Sequence, residues 1–304
     1  MKLIKPSFKI IEQQPELEGL YKQIEMAGRT CYKSEDKITE DSAKEFVDRM
    51  IKSGHGAMLE HGTVYLALDM ASREQYFKYC YNKFSVAKSI GNAEYSTWKG
   101  FVTTNLRVLV ENDWMDDLQY LCEPTEYHEK RITVKFITDQ GILREFTRHR
   151  TMSFAVESTR YCNYSKDKFG NEITYILPPW IGEKDIPKGF GYTSDDWGSL
   201  ICEFYYDATE KGKEEGFIIE PVRNFVFALQ TSEQLYFSLL KQGWKPQQAR
   251  NVLPLATKCD IVMTGFVSDW KHFFELRDAG SAHPQARELA QPLHKLFIEK
   301  KWLD

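Results

Sequence analysis

Hydrophobic and polar positions alternate along this chain in patterns that predict both strands and helices. Residues 131–136 alternate cleanly, with apolar residues at even positions and polar residues at odd positions, which predicts a half-buried strand over 131–138. Residues 63–68 and 258–265 also have strand character. Apolar spacing, capping signals, prolines and glycines predict helices at 42–53, 74–83, about 143–148, from 194, from 231 to about 243, at 246–254, at 268–280 and from 284. Because strands and helices do not alternate strictly, an α+β fold with an antiparallel or mixed sheet flanked by helices is favoured.

The segment 162–193 interrupts this periodicity. It contains three prolines and four glycines, and loops of such length are usually functional or mobile. The length of 304 residues is compatible with about two domains on length alone. Neither GxGxxG nor GxxxxGK[ST] occurs, so any dinucleotide is held by another device.

Composition narrows the class of protein further. Lys and Arg number 40 against 44 Asp and Glu, a net charge of −4, which argues against a protein that coats nucleic acid. No apolar run reaches the length needed to cross a bilayer, and polar residues 13–16 break any signal-peptide core, so a cytoplasmic protein is expected. The six cysteines form no CxxC pair and the seven histidines no HExxH, so no metal is expected.

Arginines concentrate near the middle of the chain. Arg144, Arg148, Arg150 and Arg160 lie close together, along with His149. A helix would put Arg144 and Arg148 on one face, where like charges repel unless an anion compensates them. Guanidinium groups bind phosphate bidentately, so a phosphate is the natural candidate. The alternative is a solvated basic helix end.

The order of these residues resembles a family signature. Residues 148–161 read RHRTMSFAVESTRY, similar to the RHRxxSxNxxSxR signature of the flavin-dependent thymidylate synthases. Six of the seven fixed positions are present, and Ala155 stands where Asn is usual. The segments HGAMLEH at 55–61, ARNVLP at 249–254 and FFELR at 273–277 resemble three further blocks of the family, in family order.

This resemblance extends over nearly the whole chain. It implies the flavin-dependent thymidylate synthase fold, in a single catalytic domain over 1–304 with insertions near 80–125 and 162–225. It also implies a reaction in which dUMP becomes dTMP, with methylenetetrahydrofolate as carbon donor and NADPH-reduced FAD as hydride source. A homotetramer with shared active sites is implied, without nucleic-acid or membrane partners.

The resemblance also implies roles for individual residues. The residues implied to contact FAD are His61, Arg148, His149, Arg150 and, as a replacement contact, His272. The residues implied to contact dUMP are Glu145, Arg148, Ser158, Thr159, Arg160, Arg250 and Arg277. Those implied to serve catalysis are Arg277, Ser158 and His61. We expect Ser158 to position the substrate, because no base that would activate it is evident in the sequence.

Several positions depart from the family pattern. Glu145 stands where a Gln is frequent, and a carboxylate beside a dianion needs an arginine partner, for which Arg144 and Arg148 are candidates. Phe266 and Ser268 stand where the flavin site usually has Asn and Arg. Two alternatives therefore stay open: a flavoenzyme that methylates a different uridine nucleotide, which Glu145 favours, and a non-catalytic nucleotide-binding homologue, which Phe266 and Ser268 favour.

Overall fold

The fold was analysed in a computed structural model. The structure describes residues 1–94, 96–160, 162–166, 170–182 and 221–303. The chain divides into two compact units. The first unit comprises Met1–Lys5 and Asn163–Thr257, and the second comprises Pro6–Cys162 and Lys258–Asp304. Among the described helices, none combines the length and apolar character that a membrane span requires. The single catalytic domain and its two insertions stay a prediction.

The described residues contain strands and α-helices from one end of the chain to the other. The strands are β1 (Lys2–Ile4), β2 (Ser7–Ile11), β3 (Thr63–Leu68), β4 (Val86–Ile90), β5 (Lys99–Asn105), β6 (Arg131–Asp139), β7 (Ser153–Val156), β8 (Thr174–Ile176) and β9 (Lys258–Phe266). The helices are α1 (Glu16–Tyr32), α2 (Ser42–Lys52), α3 (Gly56–Leu59), α4 (Arg73–Cys80), α5 (Leu106–Glu111), α6 (Gln140–Phe146), α7 (Pro221–Lys241), α8 (Pro246–Ala249), α9 (Val267–Arg277) and α10 (Pro284–Glu299).

The second unit contains two antiparallel sheets. One has the strand order β2–β6–β9–β7 and the other the order β3–β5–β4. Helices flank these sheets, so the predicted α+β class is confirmed. One core lies beneath α9 and α10, whose apolar residues pack on the even-numbered face of β6. A second core lies between α1, α2 and the sheet β3–β5–β4.

The interior position of β6 corrects the prediction of a half-buried strand. Arg131 and Thr133, on the polar face, are 9% and 4% exposed. The reason is that β6 has hydrogen-bonded neighbours on both edges and is covered on both faces. On the polar face the Arg131 guanidinium donates to the Glu60 carbonyl at 3.0 Å, and Lys135 donates to the Thr30 hydroxyl of α1 at 3.2 Å.

The first unit contains the parallel pair β1–β8, and helices α7 and α8. The predicted helix start at Thr231 is wrong, because α7 runs through it and the Thr231 hydroxyl donates to the Phe227 carbonyl at 2.8 Å. Gly243 follows the end of α7 with φ +91, a conformation that suits glycine, as predicted for a helix end. The helix predicted from residue 194 lies outside the described residues.

Two other local predictions need correction. Ser268 does not cap α9: the Asp269 carboxylate accepts from the Phe266 amide at 2.9 Å, and the Ser268 hydroxyl donates to Glu129 at 2.5 Å. Helix α6 ends at Phe146, so Arg148 lies beyond it and does not share a helical face with Arg144. The predicted strands over 63–68 and 258–265 and the helix from Pro284 are confirmed.

Candidate active site

The arginine-rich segment begins in a turn between α6 and β7. Asp139 caps α6 by accepting from the Ile142 amide at 2.8 Å. After α6 ends, the His149 amide donates to the Phe146 carbonyl at 3.1 Å, and the Met152 amide donates to the His149 carbonyl at 3.0 Å. These successive turns direct His149 inwards, where it is 6% exposed, and leave Arg148 and Arg150 exposed.

Arg277, the last residue of α9, makes two hydrogen bonds to Glu145 in α6 and one to His149 in this turn. Its Nη1 lies 2.7 Å from Glu145 Oε2 and its Nη2 lies 2.8 Å from the Glu145 carbonyl. Its Nε donates to His149 Nε2 at 3.1 Å. The arginine partner of Glu145 is therefore Arg277, and the expectation of Arg144 or Arg148 is wrong. The partner lies 132 positions away, and neither periodicity nor local spacing indicates it.

His149 is held in its neutral form. Burial, together with the nearby charges of Arg277 and His272, lowers the pKa of His149 to about 4. A neutral ring can accept the Arg277 hydrogen bond on Nε2 because the proton is then on Nδ1. The ring centroid lies 5.0 Å from that of Phe273 and 5.9 Å from that of His272. His272 itself is 63% exposed and lies 3.3 Å from the Glu275 carboxylate.

Arg148 and Arg150 carry charges that their surroundings do not balance. Among the described residues, no carboxylate lies within ion-pair distance of either guanidinium. Burial first, and then the charge of Arg148, lower the pKa of Arg277, against the effect of Glu145. Arg148 and Arg150 therefore present exposed guanidinium groups beside Arg277.

The second half of the motif follows β7. Ala155 is 0% exposed and packs in β7 with Ala27 and Val262, in a cluster where an Asn amide would be buried among apolar groups. The Ser158 amide donates to the Cys31 carbonyl at 2.9 Å. Ser158 and Thr159 are half-buried and Arg160 is exposed.

His61 lies apart from this surface, in the interior. It is 0% exposed, and its Nδ1 lies 2.8 Å from the Thr264 hydroxyl. Burial, together with the nearby charge of Arg131, lowers the pKa of His61 to about 3. In this arrangement the ring is closed to any ligand, so a contact with flavin requires the covering residues to move.

Arg250 belongs to the first unit, where it begins a 3₁₀ turn over Arg250–Val252 after α8. The structure thus brings Glu145, His149, His272 and Arg277 together, and does not bring His61 to them.

A buried set of charged residues next to Ser158 was missed in the sequence. Glu157 is 3% exposed and Asp260 also 3% exposed. The signal that could have indicated them is the placement of Glu157 directly after a strand and of Asp260 within one, where a charge needs a partner.

Comparisons with known proteins identify the class. A family model described as thymidylate synthase complementing protein matches residues 74–301. The flavin-dependent thymidylate synthase of Corynebacterium aurimucosum is 24% identical over 279 residues, which cover 91% of this chain and 75% of that protein. That of Synechocystis sp. is 34% identical over 168 residues, covering 55% of this chain and 66% of that protein.

A solved structure is also similar. The UMP/dUMP methylase PolB from Streptomyces cacaoi, bound with 5-Br dUMP, has 16% sequence identity and a TM-score of 0.41. The alignment covers 98% of this chain and 93% of PolB. A score this low supports no functional conclusion.

The sequence match covers most of the chain and includes the arginine-rich turn and α9. The chain belongs to the thymidylate synthase complementing protein family. The curated relatives cited above are named flavin-dependent thymidylate synthases, so the predicted resemblance and the predicted enzyme class are confirmed.

Proposed function

We propose that this enzyme converts dUMP to dTMP, with methylenetetrahydrofolate as carbon donor and NADPH-reduced FAD as hydride source. The observation that carries the proposal is the fixed Arg277 guanidinium, bonded to Glu145 and His149 beside the unbalanced charges of Arg148 and Arg150. A nucleotide monophosphate is a dianion, and arginines bind such groups in a fixed bidentate geometry. Two exposed guanidinium groups beside a positioned one suit this substrate.

In the proposed complex, the nucleotide is held mainly by guanidinium groups. The residues proposed to contact dUMP are Glu145, Arg148, Ser158, Thr159, Arg160, Arg250 and Arg277. Arg277 is proposed to act on the base, because a preorganised cation stabilises negative charge that develops during the reaction. Ser158 is proposed to position the nucleotide. His61 is proposed to affect the site from the protein interior, through the residues that cover its ring.

The residues of the turn fit a flavin in part. Arg148 and Arg150 offer exposed cations for a pyrophosphate, and the buried, neutral ring of His149 packs against Phe273 with a centroid distance of 5.0 Å. When bound, FAD would supply the hydride chemistry, and the protein would position the flavin and the nucleotide and supply the electrostatic environment. Phe266 and Ser268 do not fit a flavin in this way. The Arg131 Cζ atom lies 5.5 Å from the Phe266 ring centroid, and the Ser268 hydroxyl donates to Glu129, so neither offers a group to a flavin. We propose Arg148, His149, Arg150 and exposed His272 as the flavin contacts.

Glu145 supports a second candidate, a flavoenzyme that methylates a different uridine nucleotide. Its carboxylate is engaged by Arg277 at 2.7 Å and would lie near any nucleotide that Arg277 binds. A carboxylate accepts hydrogen bonds but donates none, so it selects for donors on the ligand. A uridine nucleotide with an additional hydroxyl has such a donor. A homotetramer with shared sites is a further proposal from the family resemblance, and a cytoplasmic location is a further proposal from the sequence.

The first experiment tests the enzyme class and the substrate. Purified protein should be yellow or become yellow with added FAD, and should release tritium from dUMP labelled at C5 in the presence of NADPH and the folate. Colourless protein that does not bind FAD contradicts the flavoenzyme. Faster release from labelled UMP than from labelled dUMP would support the second candidate.

The second experiment tests the nucleotide contacts. Arg160→Ala should raise the Kd for dUMP more than tenfold, because a charge-assisted hydrogen bond contributes about 1.5–3 kcal/mol. Arg49→Ala, which removes an exposed arginine from α2, is the matched control and should leave the Kd unchanged. Equal affinity of the Arg160 variant and the wild type, measured by calorimetry, removes Arg160 from the site.

A further inference from the structure

A cluster of charged side chains around two buried carboxylates, those of Glu157 and Asp260, lies directly beside the segment that contains Ser158. We call it the lysine–carboxylate cluster. Its members are Lys33, Glu35, Lys135, Glu157, Lys258 and Asp260. Lys33 directly follows α1 and Glu35 begins a 3₁₀ turn after it, while Lys135 lies in β6, Lys258 and Asp260 lie in β9, and Glu157 follows β7. The positive and negative charges balance, three against three, so the cluster is neutral as a whole.

Glu157 is bonded on several sides. Its Oε2 accepts from Lys258 Nζ at 2.8 Å and from the Asp260 amide at 3.1 Å. Lys33 Nζ lies 3.5 Å from the same oxygen. The Glu157 side chain is only 1% exposed. A carboxylate this buried keeps its charge only if cations and hydrogen-bond donors surround it.

Asp260 shares the same cations. Lys258 Nζ lies 2.5 Å from Asp260 Oδ1, Lys135 Nζ lies 3.3 Å from Oδ2, and Lys33 donates to Oδ2. Burial by itself would raise the pKa of Asp260, but the charges of Lys258 and Lys33 outweigh it and lower the pKa to about 2. Lys33 and Lys258 therefore bridge two neighbouring carboxylates that would otherwise repel each other.

The lysine–carboxylate cluster lies where the regular pairing of β7 with β9 ends. The pairing of β7 with β9 ends at Val156, opposite Ile261. Beyond it, the Glu157 amide donates to the Asp260 carbonyl at 2.8 Å and the Ser158 amide donates to the Cys31 carbonyl at 2.9 Å. Among the described residues 156–160, Glu157 carries the only buried charge. Its contacts connect the start of the Ser158 segment to both α1 and β9.

We propose that Glu157 is a positioning residue for Ser158–Arg160, and that its contacts with Lys258, Lys33 and the Asp260 amide fix the orientation of these residues toward the nucleotide. This inference rests on the proposed function, because it assumes that Ser158 and Arg160 contact the nucleotide. Glu157 contacts no ligand itself. It acts through the backbone, since a rigidly held first residue restricts the positions that the next three can take. The proposal differs from a purely structural role, in which the cluster affects stability alone.

The test compares Glu157→Gln with Glu35→Gln in the full-length, FAD-loaded protein. Both substitutions remove one negative charge from the cluster while they keep the side-chain shape. Glu35 is 35% exposed and does not adjoin Ser158, so it is the matched control. For Glu157→Gln we expect the Kd for dUMP to rise by about tenfold or more, since a small misplacement of a binding group has effects of that size. The Kd for FAD, proposed to depend on Arg148–Arg150, should stay within about twofold in both variants.

Hydrogen exchange supplies a readout of position. The Ser158 amide should exchange faster in Glu157→Gln and at the wild-type rate in Glu35→Gln, because only the former loosens the bond to the Cys31 carbonyl. A lower unfolding free energy with unchanged dUMP affinity and unchanged exchange at Ser158 overturns the proposal. If Glu157→Gln does not fold, Lys33→Met takes its place, since Lys33 bridges both carboxylates; an unchanged dUMP affinity in that variant also overturns it.

The outcome for the wild type separates this proposal from the proposed function. If the wild type binds neither dUMP nor UMP, the proposed function fails and the inference fails with it. If the wild type binds dUMP and Glu157→Gln binds it equally well, only the inference fails.

Discussion

The ion pair between Glu145 and Arg277 allows a quantitative prediction. Its Nη1–Oε2 distance is 2.7 Å, and the side chains are 27% and 13% exposed respectively. Charge-assisted hydrogen bonds contribute about 1.5–3 kcal/mol, whereas exposed ion pairs contribute about 0.2–1 kcal/mol. Because this pair is partly buried, we expect a coupling free energy of about 1–2 kcal/mol between the two side chains.

A double-mutant cycle measures this coupling. The variants are Glu145→Ala, Arg277→Ala and the double variant, and the free energy of unfolding is obtained from urea denaturation. The Arg107–Glu111 pair supplies a matched control: its Nε–Oε1 distance is also 2.7 Å, but its side chains are 38% and 54% exposed. We expect that pair to couple by a few tenths of a kcal/mol, about the value for exposed helical pairs.

The comparison of the two cycles can refute the reasoning. If the coupling between Glu145 and Arg277 is no larger than that of the control pair, burial does not strengthen the contact. In that case the position of Arg277 depends on its bonds to the Glu145 carbonyl and to His149. Glu145→Gln then separates charge from hydrogen bonding, since the amide retains an oxygen acceptor for Nη1.

Three further predictions concern stability and reactivity. The pKa of about 3 for His61 lies below the value of about 6.5 that is usual in an unfolded chain. The stability that the neutral, buried His61 contributes is therefore present above about pH 6.5 and is lost as the pH falls toward 3. His61→Asn should flatten that part of a pH–stability curve measured by denaturation. Leu293→Ala removes a side chain that is 0% exposed and should lower the free energy of unfolding by about 2–5 kcal/mol. The control Leu276→Ala, at a site 47% exposed, should change that free energy by less than about 0.5 kcal/mol. Equal losses in the two variants would contradict the assigned core. A thiol reagent should modify the exposed Cys80 in the native protein and spare Cys259, because Cys259 is buried and burial raises the pKa of its thiol. Modification of both cysteines at the same rate would contradict the fold around β9.

Predictions from the sequence were most accurate where the signal is local. The apolar spacing from residue 284 predicted a helix, and the five buried residues of that helix, α10, are at most 2% exposed. Strand β3 has the predicted bounds. These features depend on neighbours within a few residues, so periodicity and proline placement suffice to predict them. The signature over 148–161 likewise identified the family, because its information lies in the order of residue types.

Local signals failed where a distant part of the chain decides the environment. The polar residues of β6 predicted a solvated face, but β2, β9 and α1 enclose them. Thr231 resembled a helix start, yet α7 runs through it because burial of its apolar side outweighs a local capping preference.

The sequence by itself determined the elements, the family and the residue types of the site. Only the tertiary structure decided that Glu145 is bonded to Arg277, that His61 is closed to solvent, and that Glu157 is surrounded by lysines. The physical reason is that the energy of a charge depends on its partners and its burial, and both are set by residues more than a hundred positions away in the chain.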